Sequence, residues 1–135
     1  MDDVVRGIQK YFKYDRPPNA INFNRYNMTQ ALDWHADNEA LFPKADGTCT
    51  ILSLSLGATR TFQVKKNFYD EVYDIPLAHG DFLEMSGKTQ LFYQHCIARA
   101  TDIQKLDGSH NGWRYNLTFR GILNHADICK CKAAT

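Results

Sequence analysis

The chain has 135 residues, a formal net charge of +1, and 44% hydrophobic and 13% aromatic residues. This composition excludes a disordered chain, and the near-zero charge excludes nucleic-acid binding through a bulk positive field. No apolar run reaches the roughly 18 residues of a membrane span, and four cysteines are too few for a secreted disulfide scaffold. We therefore expect one soluble, intracellular, monomeric domain, cytoplasmic or nuclear, with no membrane contact.

A helix followed by many short strands is predicted along the chain. Apolar residues from Val4 to Phe12 recur at three-and-four spacing, which predicts a helix over residues 2–13 that ends before Pro17 and Pro18. From residue 20 onward, strand-like runs alternate with turn signals. This order predicts a mainly β fold with a short N-terminal helix, an antiparallel sandwich or barrel such as a jelly roll. The predicted strands span residues 21–26, 32–37, 50–56, 61–66, 71–76, 81–85, 89–95 and 113–122.

Two of the predicted strands carry candidate metal ligands. Alternate side chains of a strand share a face, so His35 and Asp37 point the same way. An imidazole and a carboxylate are two of the three ligands in a 2-His-1-carboxylate iron site, and His95 would supply the third. Such a site leaves positions open for a chelating cosubstrate and dioxygen. Taken singly, His-x-Asp is more often a pair of solvated residues, and His95 a half-exposed residue at a strand end.

The predicted strand 113–122 contains the run RYNLTFR at residues 114–120. Its polar residues share one face, and an edge strand with a wet polar face is one explanation. In the other, that face turns inward toward a small dianion, because arginine recognises carboxylates in a bidentate way. At roughly 3.3 Å per residue, Arg114 and Arg120 lie about 20 Å apart and can bracket the two ends of a dicarboxylate.

Together these motifs resemble the AlkB family of Fe(II)/2-oxoglutarate dioxygenases, over residues 20–123. The resemblance implies a double-stranded β-helix (jelly roll) core over residues 20–123, a short helix and linker over residues 1–19, and a tail over residues 124–135. The motifs that carry it are Asn24-Arg25-Tyr26, His35-Ala36-Asp37, Ser53–Gly57, His79-Gly80-Asp81, Leu91–Tyr93, His95 and RYNLTFR.

Individual roles follow from the resemblance, and no catalytic residue is implied beyond the metal site. The residues implied to hold Fe(II) are His35, Asp37 and His95. The residues implied to contact 2-oxoglutarate are Asn24, Tyr26, Arg114 at its distal carboxylate, Asn116, and Arg120 nearer the metal-bound end. On the substrate side, the resemblance implies that Glu39 contacts the methylated base and that Lys66 lies at a basic position near the substrate. Trp34 is a further candidate that could stack on a base, although a buried core aromatic is the commoner explanation for such a residue.

The implied activity is oxidative demethylation of N-alkylated bases in methylated single-stranded DNA or RNA. It uses Fe(II), 2-oxoglutarate and dioxygen, and releases succinate and formaldehyde. Only 23 residues precede Asn24, where nucleic-acid-repairing members carry a longer, lid-forming segment. Either the lid is absent or the chain is part of a longer protein. Two alternatives therefore stay open, the same chemistry on a protein or small molecule, and a binding module that keeps only the fold.

Overall fold

The structure, a computed structural model, describes residues 3, 6–8, 10, 18–39, 46–99 and 109–122. Residues 3, 6–8 and 10 are helical, whereas the rest of the predicted N-terminal helix and the predicted tail over residues 124–135 lie outside the described residues. In the described ranges, no helix is long and apolar enough to cross a membrane. The described elements are β1 (Ala20–Tyr26), β2 (Leu32–His35), β3 (Ile51–Gly57), β4 (Arg60–Lys66), β5 (Val72–Leu77), β6 (Phe82–Met85), α1 (Thr89–Phe92), β7 (Tyr93–Ile97), a 3₁₀ helix (Ser109–Gly112) and β8 (Arg114–Arg120).

The strands form two four-stranded sheets in which all neighbours are antiparallel. The first sheet has the order β1-β8-β3-β6 and the second the order β2-β7-β4-β5. Strands that are far apart in sequence pair in space: β1 pairs with β8 from Ala20↔Arg120 to Tyr26↔Arg114. This arrangement confirms the predicted mainly β, jelly-roll fold.

An apolar cluster holds the two sheets together. Ile51 and Met85 come from the first sheet, and Phe62, Leu77 and Ile97 come from the second. None of these side chains is more than 6% exposed. Full burial of such a side chain contributes about 1.5–3 kcal/mol, so this cluster is a main source of the stability that keeps the sheets face to face.

The other face of the first sheet is also apolar. Leu52 and Phe119 are buried there, and Ile8 from the N-terminal region packs against them. Because successive residues of a strand point to opposite faces, β3 and β8 are covered on both sides. This agrees with the sequence of β3, in which Leu52 and Leu54 lie on the face opposite Ile51, Ser53 and Ser55, and residues of both faces are buried.

A tight turn between β3 and β4 fixes the start of β8. Gly57 has a φ of +90°, and a Cβ at this position would lie 2.3 Å from the carbonyl oxygen of Trp113. The N–H of Ala58 donates to that same oxygen at 2.8 Å. Only glycine combines this backbone conformation with such a close approach.

The predicted strand over residues 89–95 is wrong in its first half, because Thr89–Phe92 form helix α1 and β7 begins at Tyr93. The apolar and aromatic run at residues 91–93 favoured a strand. In the structure, however, Leu91 and Phe92 are 50% and 47% exposed, and both of their N–H groups donate to the carbonyl of Lys88. The buried residue of α1 is Gln90.

A buried arginine ties three segments of the chain together. Arg60 is 0% exposed, and its Nη1 donates to the carbonyl of Asn27 at 2.9 Å. Its Nη2 donates to the carbonyls of Gln30 and Ala98, both at 2.6 Å. Burial lowers the pKa of Arg60, yet guanidinium stays protonated in proteins. The connection between β1 and β2 is therefore attached to β4 and to the end of β7.

Replacement of Arg60 by methionine should lower the free energy of unfolding by about 3 kcal/mol or more, because hydrogen bonds to charged groups contribute about 1.5–3 kcal/mol each. Urea denaturation measures this loss. The control is Arg25→Met, which removes an exposed arginine whose guanidinium lies 4.5 Å from the Trp113 ring centroid. Such an exposed contact is worth about 1 kcal/mol or less. Equal losses in the two variants would contradict the role given to Arg60.

Candidate active site

A cavity of about 230 Å³ lies between the two sheets and is lined by both. Most of its polar lining residues come from the first sheet, and three residues of the apolar cluster also line it. The polar lining residues are Asn22, Asn24, Tyr26, His35, Asp37, Glu39, Ser53, His95, Arg114, Asn116, Thr118 and Arg120, and the apolar ones are Leu32, Phe62, Met85 and Ile97.

Three candidate metal ligands meet in this cavity. His35 is the last residue of β2, Asp37 follows two residues later, and His95 lies in β7 opposite His35. Their ligand atoms all lie within 4.8 Å of one another. The two imidazole centroids are 4.3 Å apart, and His95 Nε2 is 3.9 Å from Asp37 Oδ2. Two imidazoles and one carboxylate at this spacing are the donor set of a 2-His-1-carboxylate centre.

Neighbouring groups orient each of these ligands. The Nδ1 atom of His35 lies 2.7 Å from the carbonyl oxygen of Asp33, which places the proton on Nδ1 and leaves Nε2 as the ligating atom. The ring of His95 stacks on Phe62, with centroids 5.1 Å apart and planes 19° from parallel. Arg120 Nη2 donates to Asp37 Oδ1 at 2.6 Å, so Oδ2 is the carboxylate oxygen left toward His95.

The protonation state of His95 suits a metal ligand. Burial lowers the pKa of His95 to about 4, and the neighbouring His35 and Arg120 act in the same direction. At neutral pH the imidazole is therefore uncharged, which is the form that binds metal ions.

The polar face of β8 points into the cavity. Arg114, Asn116 and Thr118 are at most 8% exposed, and β8 lies between β1 and β3. A wet edge strand is thus excluded, and the prediction that this face turns inward is confirmed.

Arg114 is a buried cation with unused hydrogen-bonding capacity. It is 1% exposed, and its Nη2 donates to Ser55 Oγ at 2.9 Å and to Asn116 Oδ1 at 3.2 Å. Its Nε and Nη1 have no hydrogen-bond partner among the residues that the structure describes. Burial lowers the pKa of Arg114 to about 10, which still leaves it protonated at neutral pH. A buried guanidinium with free N–H groups beside a cavity is suited to bind an anion.

Tyr26 stands beside this cation. The Cζ atom of Arg114 lies 5.7 Å from the centroid of the Tyr26 ring. Burial raises the pKa of Tyr26, more than the positive charge of Arg114 lowers it. Tyr26 therefore stays a neutral phenol, which can donate a hydrogen bond toward the cavity.

The structure brings nine of the eleven residues singled out from the sequence to one cavity. Trp34 and Lys66 do not line it. The Nζ atom of Lys65 lies 4.6 Å from the Trp34 ring centroid, and Lys66 Nζ lies 5.0 Å from that of Tyr69. The nine are Asn24, Tyr26, His35, Asp37, Glu39, His95, Arg114, Asn116 and Arg120.

Sequence reasoning missed two residues that support the ligands. Phe62 stacks on His95, and the alternation of β4 was a signal that could have placed it on an inward face. Gln90 accepts a hydrogen bond from the backbone of Asp37 at 2.8 Å. No sequence signal identified Gln90, because its segment was interpreted as part of a strand.

Comparisons with known proteins point to one family. The 2OG-Fe(II) oxygenase superfamily matches over residues 3–120. The human alpha-ketoglutarate-dependent dioxygenase alkB homolog 3 is 36% identical over 115 residues, covering 77% of this chain and 36% of that protein. Escherichia coli AlkB is 34% identical over 113 residues, covering 78% of this chain and 46% of that protein. The Arabidopsis thaliana DNA oxidative demethylase ALKBH2 is 28% identical over 129 residues, covering 78% of this chain and 38% of that protein.

This chain therefore spans less than half the length of these relatives. Among solved structures, OsALKBH1 superimposes with a TM-score of 0.61 at 22% identity, covering 88% of this chain and 60% of that chain. At this identity the likeness supports the jelly-roll fold alone. The superfamily match covers most of the sequence, and the chain thus belongs to the 2OG-Fe(II) oxygenase superfamily and is AlkB-like within it.

Proposed function

We propose that this chain forms the catalytic core of an Fe(II)- and 2-oxoglutarate-dependent dioxygenase that oxidatively demethylates N-methylated nucleic-acid bases. One observation carries the proposal: His35, Asp37 and His95 meet in the same cavity as Arg114, a buried cation with free N–H groups. Membership of the 2OG-Fe(II) oxygenase superfamily supports Fe(II) as the metal and 2-oxoglutarate as the cosubstrate. The printed name of the Arabidopsis relative, a DNA oxidative demethylase, supports nucleic acid as the substrate class.

The donor set fits Fe(II). Non-haem iron oxygenases use two imidazoles and one carboxylate and keep the remaining coordination positions open. His35 would bind through Nε2, since Nδ1 faces the Asp33 carbonyl, and Asp37 through Oδ2, since Oδ1 accepts from Arg120. When bound, the iron supplies dioxygen activation coupled to conversion of 2-oxoglutarate to succinate and carbon dioxide.

The polar wall of the cavity fits a dicarboxylate. Arg114 offers Nε and Nη1 to one carboxylate, and Asn24 and Tyr26 line the same wall. Arg120 lies at the metal end, where it already contacts Asp37. The two arginines are at opposite ends of β8, so the protein orients the dianion with its keto-acid end toward the metal ligands.

The substrate side of the proposal rests on fewer residues. Glu39 lines the cavity and is exposed, so we assign it the contact with the methylated base. Trp34 and Lys66 do not line the cavity, and we assign them only to parts of the substrate outside it. A base in a duplex must be extruded before it can enter such a pocket, which favours single-stranded DNA or RNA.

With Fe(II), 2-oxoglutarate and dioxygen, the chain should convert N1-methyladenine or N3-methylcytosine in single-stranded oligonucleotides to the unmethylated base. One formaldehyde and one succinate should form for each methyl group lost, measured by mass spectrometry. His35→Ala removes a metal ligand and should abolish all three products. If 2-oxoglutarate is consumed but no DNA or RNA oligonucleotide loses its methyl group, the substrate is a protein or a small molecule instead.

Arg114→Met should weaken 2-oxoglutarate binding by about 100-fold or more, because two hydrogen bonds to a charged group contribute about 1.5–3 kcal/mol each. Calorimetry with Mn(II)-loaded protein under anaerobic conditions measures this loss. The control ligand is 2-oxobutyrate, which lacks the distal carboxylate and should bind the variant and the unmodified protein alike. A matched loss for both acids would show that Arg114 does not contact that carboxylate.

The metal-free protein should become less stable as the pH falls from 6.5 toward 4. The pKa of His95 is about 4 in the folded protein and 6.5 in the unfolded chain, so the unfolded chain takes up the proton first. The contribution of neutral His95 to the free energy of unfolding is fully present above pH 6.5, and at most about 3 kcal/mol of it is lost on acidification. Urea unfolding at several pH values in this range tests whether the free energy of unfolding falls as the pH falls. His95→Asn should show a shallower loss, and an unchanged pH dependence would contradict the assignment.

A further inference from the structure

We infer that Gln90 is a positioning residue for the metal ligand Asp37, an inference that rests on the proposed metal site. Gln90 lies in α1, directly before the strand that carries His95, and it is 4% exposed. Its Oε1 accepts a hydrogen bond from the backbone N–H of Asp37 at 2.8 Å. Gln90 does not itself line the cavity, and its direct link to the candidate metal ligands is this hydrogen bond to Asp37.

Asp37 needs such a contact because no sheet ladder fixes its backbone. Strand β2 ends at His35, and residues 36–39 have no regular secondary structure. The pairing of β2 with β7 is itself irregular between Leu32 and His35. The carboxylate of the proposed metal site therefore belongs to a segment whose conformation the strand does not determine, although Asp37 is only 6% exposed.

The orientation of the Gln90 amide is determined on both sides. Its Nε2 lies 3.4 Å from the Sδ atom of Met85, and its Oε1 faces the N–H of Asp37. An amide nitrogen donates and does not accept, so only this orientation satisfies the Asp37 N–H. Met85 is buried in the cluster between the sheets. Gln90 thus connects the packed core to the segment that carries the carboxylate.

Two contacts then fix Asp37 at different atoms. Arg120 holds Oδ1 of the side chain, and Gln90 holds the backbone N–H. With both in place, Oδ2 stays 3.9 Å from His95 Nε2. If the backbone contact is lost, the Arg120 contact still holds one oxygen but no longer determines where the other points. Hydrogen-bond partners of metal ligands typically change metal affinity by about 10- to 100-fold.

Gln90→Leu removes the acceptor at similar side-chain volume and should weaken Co(II) binding by about 10- to 100-fold. The visible absorption spectrum of bound Co(II) should also change, because it reports ligand geometry. The matched control is Gln63→Leu, which removes a glutamine whose side chain contacts Asp74 and Cys96. That variant should bind Co(II) like the unmodified protein. Gln90→Glu keeps an oxygen acceptor and should retain the affinity.

The outcomes separate this inference from the proposed function. Co(II) affinity and spectrum unchanged in Gln90→Leu would overturn the inference, as would a Gln90→Glu variant as weak as Gln90→Leu. Failure of the unmodified protein to bind Co(II) would overturn the metal site itself. If Gln90→Leu does not fold, Gln90→Asn replaces it, and unchanged affinity there overturns the inference. In the metal-free protein, hydrogen exchange of the Asp37 amide should be faster in the folded variant than in the unmodified protein.

Discussion

The ion pair between Arg120 and Asp37 is the contact on which the candidate site depends. Arg120 is the last residue of β8 in the first sheet, and Asp37 follows β2 of the second sheet. Their atoms are 2.6 Å apart, and the two side chains are 12% and 8% exposed. Loss of one partner of such a pair leaves a buried charge and typically costs about 3–5 kcal/mol. The candidate metal ligands therefore reach their positions only when the two sheets are packed together.

Strand β3 shows how one fold supplies both a dry core and a polar cavity. Ile51, Ser53 and Ser55 alternate along it and share one face. Ile51 belongs to the apolar cluster, whereas Ser53 Oγ donates to Asn116 Oδ1 at 2.6 Å and Ser55 Oγ accepts from Arg114. The buried serine hydroxyls of this face thus have hydrogen-bond partners. This lowers the free-energy cost of burying them and makes this wall of the cavity rigid. Packing at one end of β3 positions the polar groups at the other.

The sequence was sufficient to predict most of the strands and most of the residues that meet in the cavity, but not the contacts that hold them. The alternation of RYNLTFR identified the polar face of β8, yet an edge strand and a central strand give the same alternation. Only the pairing of β8 with β1 and β3 distinguishes them. Gln90 was missed because its environment is set by Asp37, 53 residues away. Arg60 was missed because charged residues are usually exposed, and its acceptors lie 30 to 38 residues away in the chain.

The charges around the cavity explain why a metal ion and a dicarboxylate should bind together. Arg114 and Arg120 place two positive charges in its wall, and Asp37 and Glu39 place two negative charges there, so the lining is neutral in sum. A divalent cation alone would leave the cavity with an excess of positive charge, and a dicarboxylate alone would leave it with an excess of negative charge. Bound together, their charges cancel. Each should therefore raise the affinity for the other, and this coupling is reciprocal. A residue such as Gln90, which contacts neither ligand, then influences dianion binding through the position of Asp37.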